Sequence, residues 1–258
     1  MGREAVIGAA QRGTKSVREE TARLTKRPLA GRSHPRSFEN AKGTRAMTPK
    51  TQGRLWLLVA VLSAGVAIVS YRYFTPIGLE PPQILGNLFA KPWLFVHIFG
   101  AAAALLVGPF NFLAGVRRRT PKVHRGGGRG YIVGCLVGGV AGFVAAFGSF
   151  AGPIATAGFG SLAICWVTAN SAGWLTARAR RFQDHRAWMI RSFAMTFGAV
   201  TLRIYLSFIP LFHLDFTQAY RAISFLAWVP NLLLAELYLR GAFRGVFPPA
   251  RRGVAISH

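Results

Sequence analysis

Long apolar runs alternate with short, strongly basic segments along most of this chain. Six runs stand out: Leu55–Phe74, Pro92–Val116, Tyr131–Gly152, Thr156–Ala177, Trp188–Phe212 and Ile223–Leu239. Each is close to the length of about 20 residues that a helix needs to cross the hydrocarbon core of a bilayer. Few of them alternate polar and apolar residues with period two, which argues against a β-barrel. An open sheet is excluded, because its edges would leave unpaired backbone groups in lipid. The pattern therefore predicts an all-α, polytopic transmembrane bundle of six helices over residues 55–240. Gly152 and Pro153 form a tight turn between the third and fourth helices.

The flanks differ from the bundle. Residues 1–54 are rich in Arg, Lys, Gly, Ser and Thr and have no hydrophobic period, the composition of a disordered segment. The first apolar run starts too far from Met1 for an ordinary secretory signal. Met47 opens a short basic stretch that leads straight into the first run, so we expect translation to start there in the native protein. Residues 241–258 form a second basic tail.

Charge then orients the bundle. The 258-residue chain carries a net charge of +24, which on composition alone suggests nucleic-acid binding. Position argues otherwise. The basic residues collect before Leu55, between Arg117 and Arg129, between Arg178 and Arg191, and after Leu239, while the stretch Thr75–Lys91 is nearly uncharged. Lys and Arg are translocated poorly, so those four basic segments lie on the cytoplasmic side and both termini are cytoplasmic. The partner implied is a lipid bilayer, the inner membrane of a bacterial cell, and not nucleic acid.

Candidate chemistry sits at the run ends. His97 and His213 fall toward the outer face, His124 and His185 toward the inner one. Imidazole is costly in hydrocarbon and useful as a proton carrier or metal ligand. One pair on each side would suit two b-type haems, with imidazole nitrogen on the iron. Spacing limits the idea. A continuous helix from His185 to His213 would measure roughly 42 Å at about 1.5 Å per residue, against a core of about 30 Å, so at least one of the two lies near the headgroups. The bland alternative for each histidine is an interfacial residue bonded to backbone or lipid phosphate.

Arginines offer a second chemistry. His124–Arg125 and His185–Arg186 each precede a helix that runs outward, where free N–H groups favour anions. With Arg129 and Arg191 these ends could form one anion pocket. Asp184 reads as the N-cap of the fifth helix. Arg203 lies mid-run, where insertion costs about 2.5–3.5 kcal/mol, and so needs a partner. Glu236 is the nearest carboxylate, but about 13 Å away in depth by helix rise; Asn231 is closer in depth, and Asn170 and Asn111 are further candidates. Gly134, Gly138 and Gly142 recur every four residues and allow close helix approach or room for a flat cofactor. Cys135 and Cys165 read as small packing residues.

The blocks LVGPFNFL (Leu106 to Leu113), HRGGGRGY (His124 to Tyr131), HRAWMIRSFAMTFGAVTLR (His185 to Arg203) and WVPNLLLAE (Trp228 to Glu236) resemble a family of predicted bacterial membrane proteins catalogued as a domain of unknown function. That resemblance spans residues 55 to 240 and implies a multi-pass membrane protein without an assigned activity. A looser likeness, on histidine placement alone, is to the two-haem transmembrane cytochromes that include ferric reductases. The leading functional expectation is haem b bound by His97, His124, His185 and His213 for transmembrane electron transfer, with Arg125, Arg186 or Arg203 neutralising propionates. The alternative is a non-redox protein that binds or transports an anionic small molecule or lipid at Arg125, Arg129, Arg186, Arg191 or Arg203.

Overall fold

Thr48 caps the first helix by accepting from the Thr51 amide at 3.3 Å, and helix α1 (Pro49–Ser70) therefore begins before the first apolar run. The computed structural model describes residues 48–74 and 87–242. The expectations for residues 1–47, including Met47, and for the end of the basic tail fall outside the described residues. After a single 3-10 turn (Tyr71–Phe74) come α2 (Ala90–Asn111), the short α3 (Ala114–Arg119), α4 (Pro121–Ala146), α5 (Pro153–Arg178), α6 (Phe182–Thr196), α7 (Gly198–Leu211), α8 (Phe216–Leu226) and α9 (Val229–Leu239). Among the described residues there is no strand.

Five stretches are long and apolar enough to cross a membrane: Lys50–Phe74, Ala90–Asn111, Pro121–Ala146, Phe182–Leu211 and Phe216–Leu239. The last two each join a pair of helices, α6 with α7 and α8 with α9. Helix α5, expected from the sequence as a further pass, is not among these five stretches. Its 26 residues match α4 in length, and it packs between α4 and α6 with α8 also against it. Several of its polar and small residues face protein: Gly158, Gly160, Asn170, Gly173 and Thr176 are buried. Lipid-facing surfaces elsewhere are strongly apolar. Val133, Val137 and Val140 on α4 and Leu57, Leu58, Val61 and Ile68 on α1 are all exposed. Surface of that kind is unsuited to water and suited to acyl chains.

The contact that sets the geometry is between α2 and α4. A Cβ added to Gly100 would stand 2.6 Å from the Gly134 carbonyl oxygen, and one added to Gly134 would stand 2.8 Å from the Gly100 carbonyl. Each glycine thus receives the other's backbone, and Gly138 lies against the Ala101 amide in the same way, with its added Cβ 3.1 Å from that nitrogen. Two helices approach this closely only where side chains are missing. The far turn is pinned to this pair. Asn87 accepts from the Phe89 and Ala90 amides at the start of α2 and donates to the Gly148 carbonyl at 2.9 Å. Gly152, at φ 80°, turns the chain into Pro153 as the dipeptide predicts. Arg221 of α8 donates to the Ala151 carbonyl at 2.8 Å beside it.

Several boundaries differ from the apolar runs. Helix α4 starts at Pro121, so Gly126–Gly128 and Gly130 are helical rather than loop. Gly127 is held by packing, since a Cβ there would meet the Asn111 side chain at 3.0 Å. The last pass is broken at Ala227–Trp228, because Pro230 has no N–H to donate. Trp228 Nε1 donates to the Ser224 carbonyl at 3.0 Å and Asn231 Nδ2 to the Ala227 carbonyl at 3.2 Å, satisfying acceptors at the break. Gly198, at the start of α7, lies against that break, its missing Cβ 3.1 Å from the Ala227 oxygen.

Gly100→Ala should lower stability by about 1–3 kcal/mol, the usual cost of forcing atoms into a filled interface. Gly126→Ala, where no atom lies within 4 Å of the added methyl, should leave stability unchanged or raise it by about 0.5–1 kcal/mol through helix propensity. Unfolding in mixed micelles measures both; equal values for the two variants would remove the α2–α4 contact from its central place.

Candidate functional site

A buried polar cluster occupies the middle of the bundle, where α4, α5 and α6 meet. Tyr131 is 1% exposed, and its hydroxyl lies 2.8 Å from both Ser192 Oγ and Thr196 Oγ1. Trp166 Nε1 donates to Thr196 Oγ1 at 2.9 Å; Ser192 Oγ donates to Asn170 Oδ1 at 3.0 Å; Asn170 Nδ2 donates to the Trp166 carbonyl at 2.8 Å. Ser192 and Thr196 are one helical turn apart, so both hydroxyls point the same way. Cys135 is one turn beyond Tyr131 and completely buried in the same core, with Met195 and Trp228. Every side chain of this ring has a partner, as burial in lipid demands. Its role is therefore to register three helices. None of these residues except Asn170 and Cys135 stood out in the sequence, although the four-residue spacing of Ser192 and Thr196 marks a shared polar face.

Two of the candidate histidines are oriented by backbone. His97 Nδ1 lies 2.7 Å from the Gly138 carbonyl oxygen, and His185 Nδ1 lies 2.8 Å from the Gly173 carbonyl oxygen. An imidazole that donates through Nδ1 keeps Nε2 as its lone-pair nitrogen. Gly142 makes the space for the His97 ring: a Cβ there would sit 2.6 Å from Nδ1. The Trp166 ring stands edge-on to the imidazole, with centroids 6.4 Å apart. The glycine stripe of α4 thus serves both close helix approach, at Gly134 and Gly138, and seating of a side chain, at Gly142.

At the basic end, His124 and His185 sit in the first turns of α4 and α6 rather than before them. They lie within each other's electrostatic field, with Arg117 acting on His124 as well. His124 Nδ1 and Asn111 Nδ2 are buried and have no hydrogen-bond partner among the described residues. At the far end the expected partner of His97 is placed differently. His213 follows α7 at φ 51° and is exposed.

The arginines separate by environment. Arg125 and Arg129 are exposed. Arg186 is exposed and donates to the Tyr238 hydroxyl at 3.3 Å. Arg191 forms a two-pronged ion pair with Glu236 through Nε and Nη2, the latter at 3.1 Å from Oε2, and its guanidinium covers the Trp188 ring at 4.8 Å. Glu236 therefore belongs to Arg191 and not to Arg203. Arg203 donates instead to Ser70 Oγ of α1 at 2.6 Å and to the Ala199 carbonyl at 3.0 Å. Of the other suggested partners, Asn231 bonds Thr201 at 2.9 Å, Asn170 belongs to the central ring, and Asn111 lies against Gly127 at the start of α4. Asp184 is not the cap of α6. The helix starts at Phe182 with Arg181 before it, and Asp184 lies in the first turn, 3.7 Å from Arg181.

Residues 94–239 match the model of a family described as predicted membrane protein (DUF2306). The chain belongs to this family. The match covers α2 through α9, and with them all four candidate histidines and Arg203, while Ser70 and α1 precede it. As a DUF2306 member the protein is a membrane protein, in agreement with its apolar exterior. No curated protein and no solved structure matches the chain.

Replacing Tyr131 by Phe removes two hydrogen bonds and leaves packing intact. We expect a loss of about 1–2 kcal/mol, given that interhelical hydrogen bonds in membranes contribute roughly 0.6 kcal/mol on average and at most about 1.7. Unfolding in mixed micelles measures it. A Tyr131→Phe protein as stable as the parent would mean that Ser192 and Thr196 do not depend on the phenol.

Proposed function

We propose that this protein lies in a bacterial inner membrane with its basic end toward the cytoplasm, and that it binds b-type haem there through His124 and His185 as an electron carrier. One observation carries the reading. Two imidazoles from the first turns of neighbouring passes share one region, one of them fixed through Nδ1 to Gly173, the other with a buried Nδ1 that lacks a partner among the described residues. Backbone-anchored imidazole is the usual support for a histidine that ligates a metal. When bound, haem would supply a one-electron couple. The chain's own residues would hold and orient it: Gly173 fixes the ring of His185, and the Arg117 and Arg186 charges suit carboxylates at the headgroup level. The far end supports a second haem less well. His97 has the same anchored form, yet His213 is exposed.

A second reading rests on a different observation. Asn111 Nδ2 is a buried donor without a partner among the described residues, and its side chain lies against Gly127, three residues along α4 from His124. Donors of that kind suit an anionic small molecule or lipid headgroup without redox chemistry.

Absorption spectroscopy of the detergent-purified full chain, expressed with haem supplied, decides between them. A Soret band should be present, should be lost in both His124→Ala and His185→Ala, and should survive in His213→Ala. A preparation with no Soret band rules out the haem reading. Stabilisation of that preparation by anionic lipid, lost on Arg117→Gln, would then favour the second.

A further inference from the structure

Arg203 sits about 12 Å from the far end of α7, by helix rise, and four elements converge on it. Ser70 ends α1 and accepts from Nη2, while donating its own proton to the Val66 carbonyl at 2.7 Å. Tyr73 of the 3-10 turn and Tyr220 of α8 lie within the field of its guanidinium, as does a second guanidinium, Arg72. His97 of α2 feels the Arg203 charge from the other side. Ser70 and His97 spend their protons on the Val66 and Gly138 carbonyls, while Tyr73 and Tyr220 carry hydroxyl donors, and none of these groups is a carboxylate. The acids of the described residues are committed elsewhere: Asp184 to Arg181, Asp215 to the Gln218 amide at 2.8 Å, and Glu236 to Arg191. Among the described residues Arg203 donates to two neutral acceptors, which leaves N–H groups of its fork without a partner there. A partly buried cation among donors, at membrane depth, is stabilised by an anion.

We propose that Arg203 anchors a site for a small oxyanion, a carboxylate or phosphate, entering from the far side of the membrane. The planar guanidinium fork matches two oxygens of such a group. The Tyr220 and Tyr73 hydroxyls supply further donors. Ser70 holds one arm of the fork, so the anion meets an oriented receptor and not a mobile side chain. This site lies at the opposite end of the bundle from His124 and His185, and it stands whether or not haem binds there.

Thermal unfolding of the delipidated full chain in detergent tests it, with acetate, inorganic phosphate or a short-chain phosphatidic acid titrated at constant ionic strength. The expected result is a saturable rise in Tm of about 2–4 °C with acetate or phosphate. The rise should be absent in Arg203→Gln and unchanged in Arg129→Gln, an exposed arginine at the basic end. In Arg203→Lys, which keeps the charge without the fork, half-saturation should need at least about tenfold more anion. Tyr220→Phe should weaken binding severalfold, which keeps the test open if Arg203→Gln fails to fold. No saturable rise in the parent protein overturns the proposal, as does an equal rise in Arg203→Gln. A rise that emerges only in Glu80→Gln also overturns it, since Glu80, which is outside the described residues, would then be the resident counter-charge. A response to phosphatidic acid alone would assign the site to lipid headgroups instead.

Discussion

Helices in lipid gain nothing from burying one apolar side chain against another, because the acyl chains are just as apolar. What holds this bundle is close backbone approach, and it is greatest where Gly100 of α2 meets Gly134 and Gly138 of α4. The reciprocal placement of the Gly100 and Gly134 carbonyls favours Cα–H···O contacts in both directions. The same approach explains His97. Its ring reaches the Gly138 carbonyl only because α2 lies directly on α4, and it fits only because Gly142 has no side chain. Packing and the orientation of a candidate ligand are thus one feature, and a methyl group at any of these glycines would disturb both.

The second tier of cohesion is polar. Tyr131, Trp166, Asn170, Ser192 and Thr196 link α4, α5 and α6 by hydrogen bonds in a region with no water to replace them. Such bonds contribute modestly to stability, but a shifted register would leave several groups unpaired at once. The ring therefore selects one arrangement of helices whose apolar surfaces would tolerate many. It also accounts for a polar residue such as Asn170 in the interior of α5, where Ser192 of α6 donates to it.

Most of the architecture is legible in the chain because lipid enforces it. Apolar runs located the passes, basic segments marked one end, and Gly152–Pro153 marked a turn whose φ of 80° only glycine adopts easily. Local signals that compete with tertiary packing were less readable. Gly126–Gly130 reads as a loop by propensity, yet it is helical because Pro121 starts the helix and α2 packs on Gly127. Ile223–Leu239 reads as one helix in the sequence, so the break at Ala227–Trp228, and the Trp228 and Asn231 side chains that satisfy it, declare themselves only in three dimensions. Asp184 has the right type for a cap and the wrong position by a turn. The partner of Arg203, Ser70, is not legible in the chain because α1 and α7 are far apart in sequence, and carboxylate and amide side chains such as Glu236 and Asn231 stand out more than a serine.

The contrast between Arg191 and Arg203 bears most directly on function. Both are arginines of the same pass, separated by about 18 Å of helix rise. Arg191 is matched by Glu236 and covers an indole, so its charge is spent inside the protein and ties α6 to α9. Arg203 meets a hydroxyl and a carbonyl, which orient a guanidinium without neutralising it. If the second arginine served only to join α7 to α1, a neutral donor at that position would make the same two bonds and avoid the cost of placing a charge in the membrane. A charge that is oriented in this way among the described residues is the feature on which the proposed oxyanion site rests. The bundle therefore has two ends of different character: a basic end where His124 and His185 share one region, and a far end where Arg203 is oriented by a hydroxyl and a carbonyl.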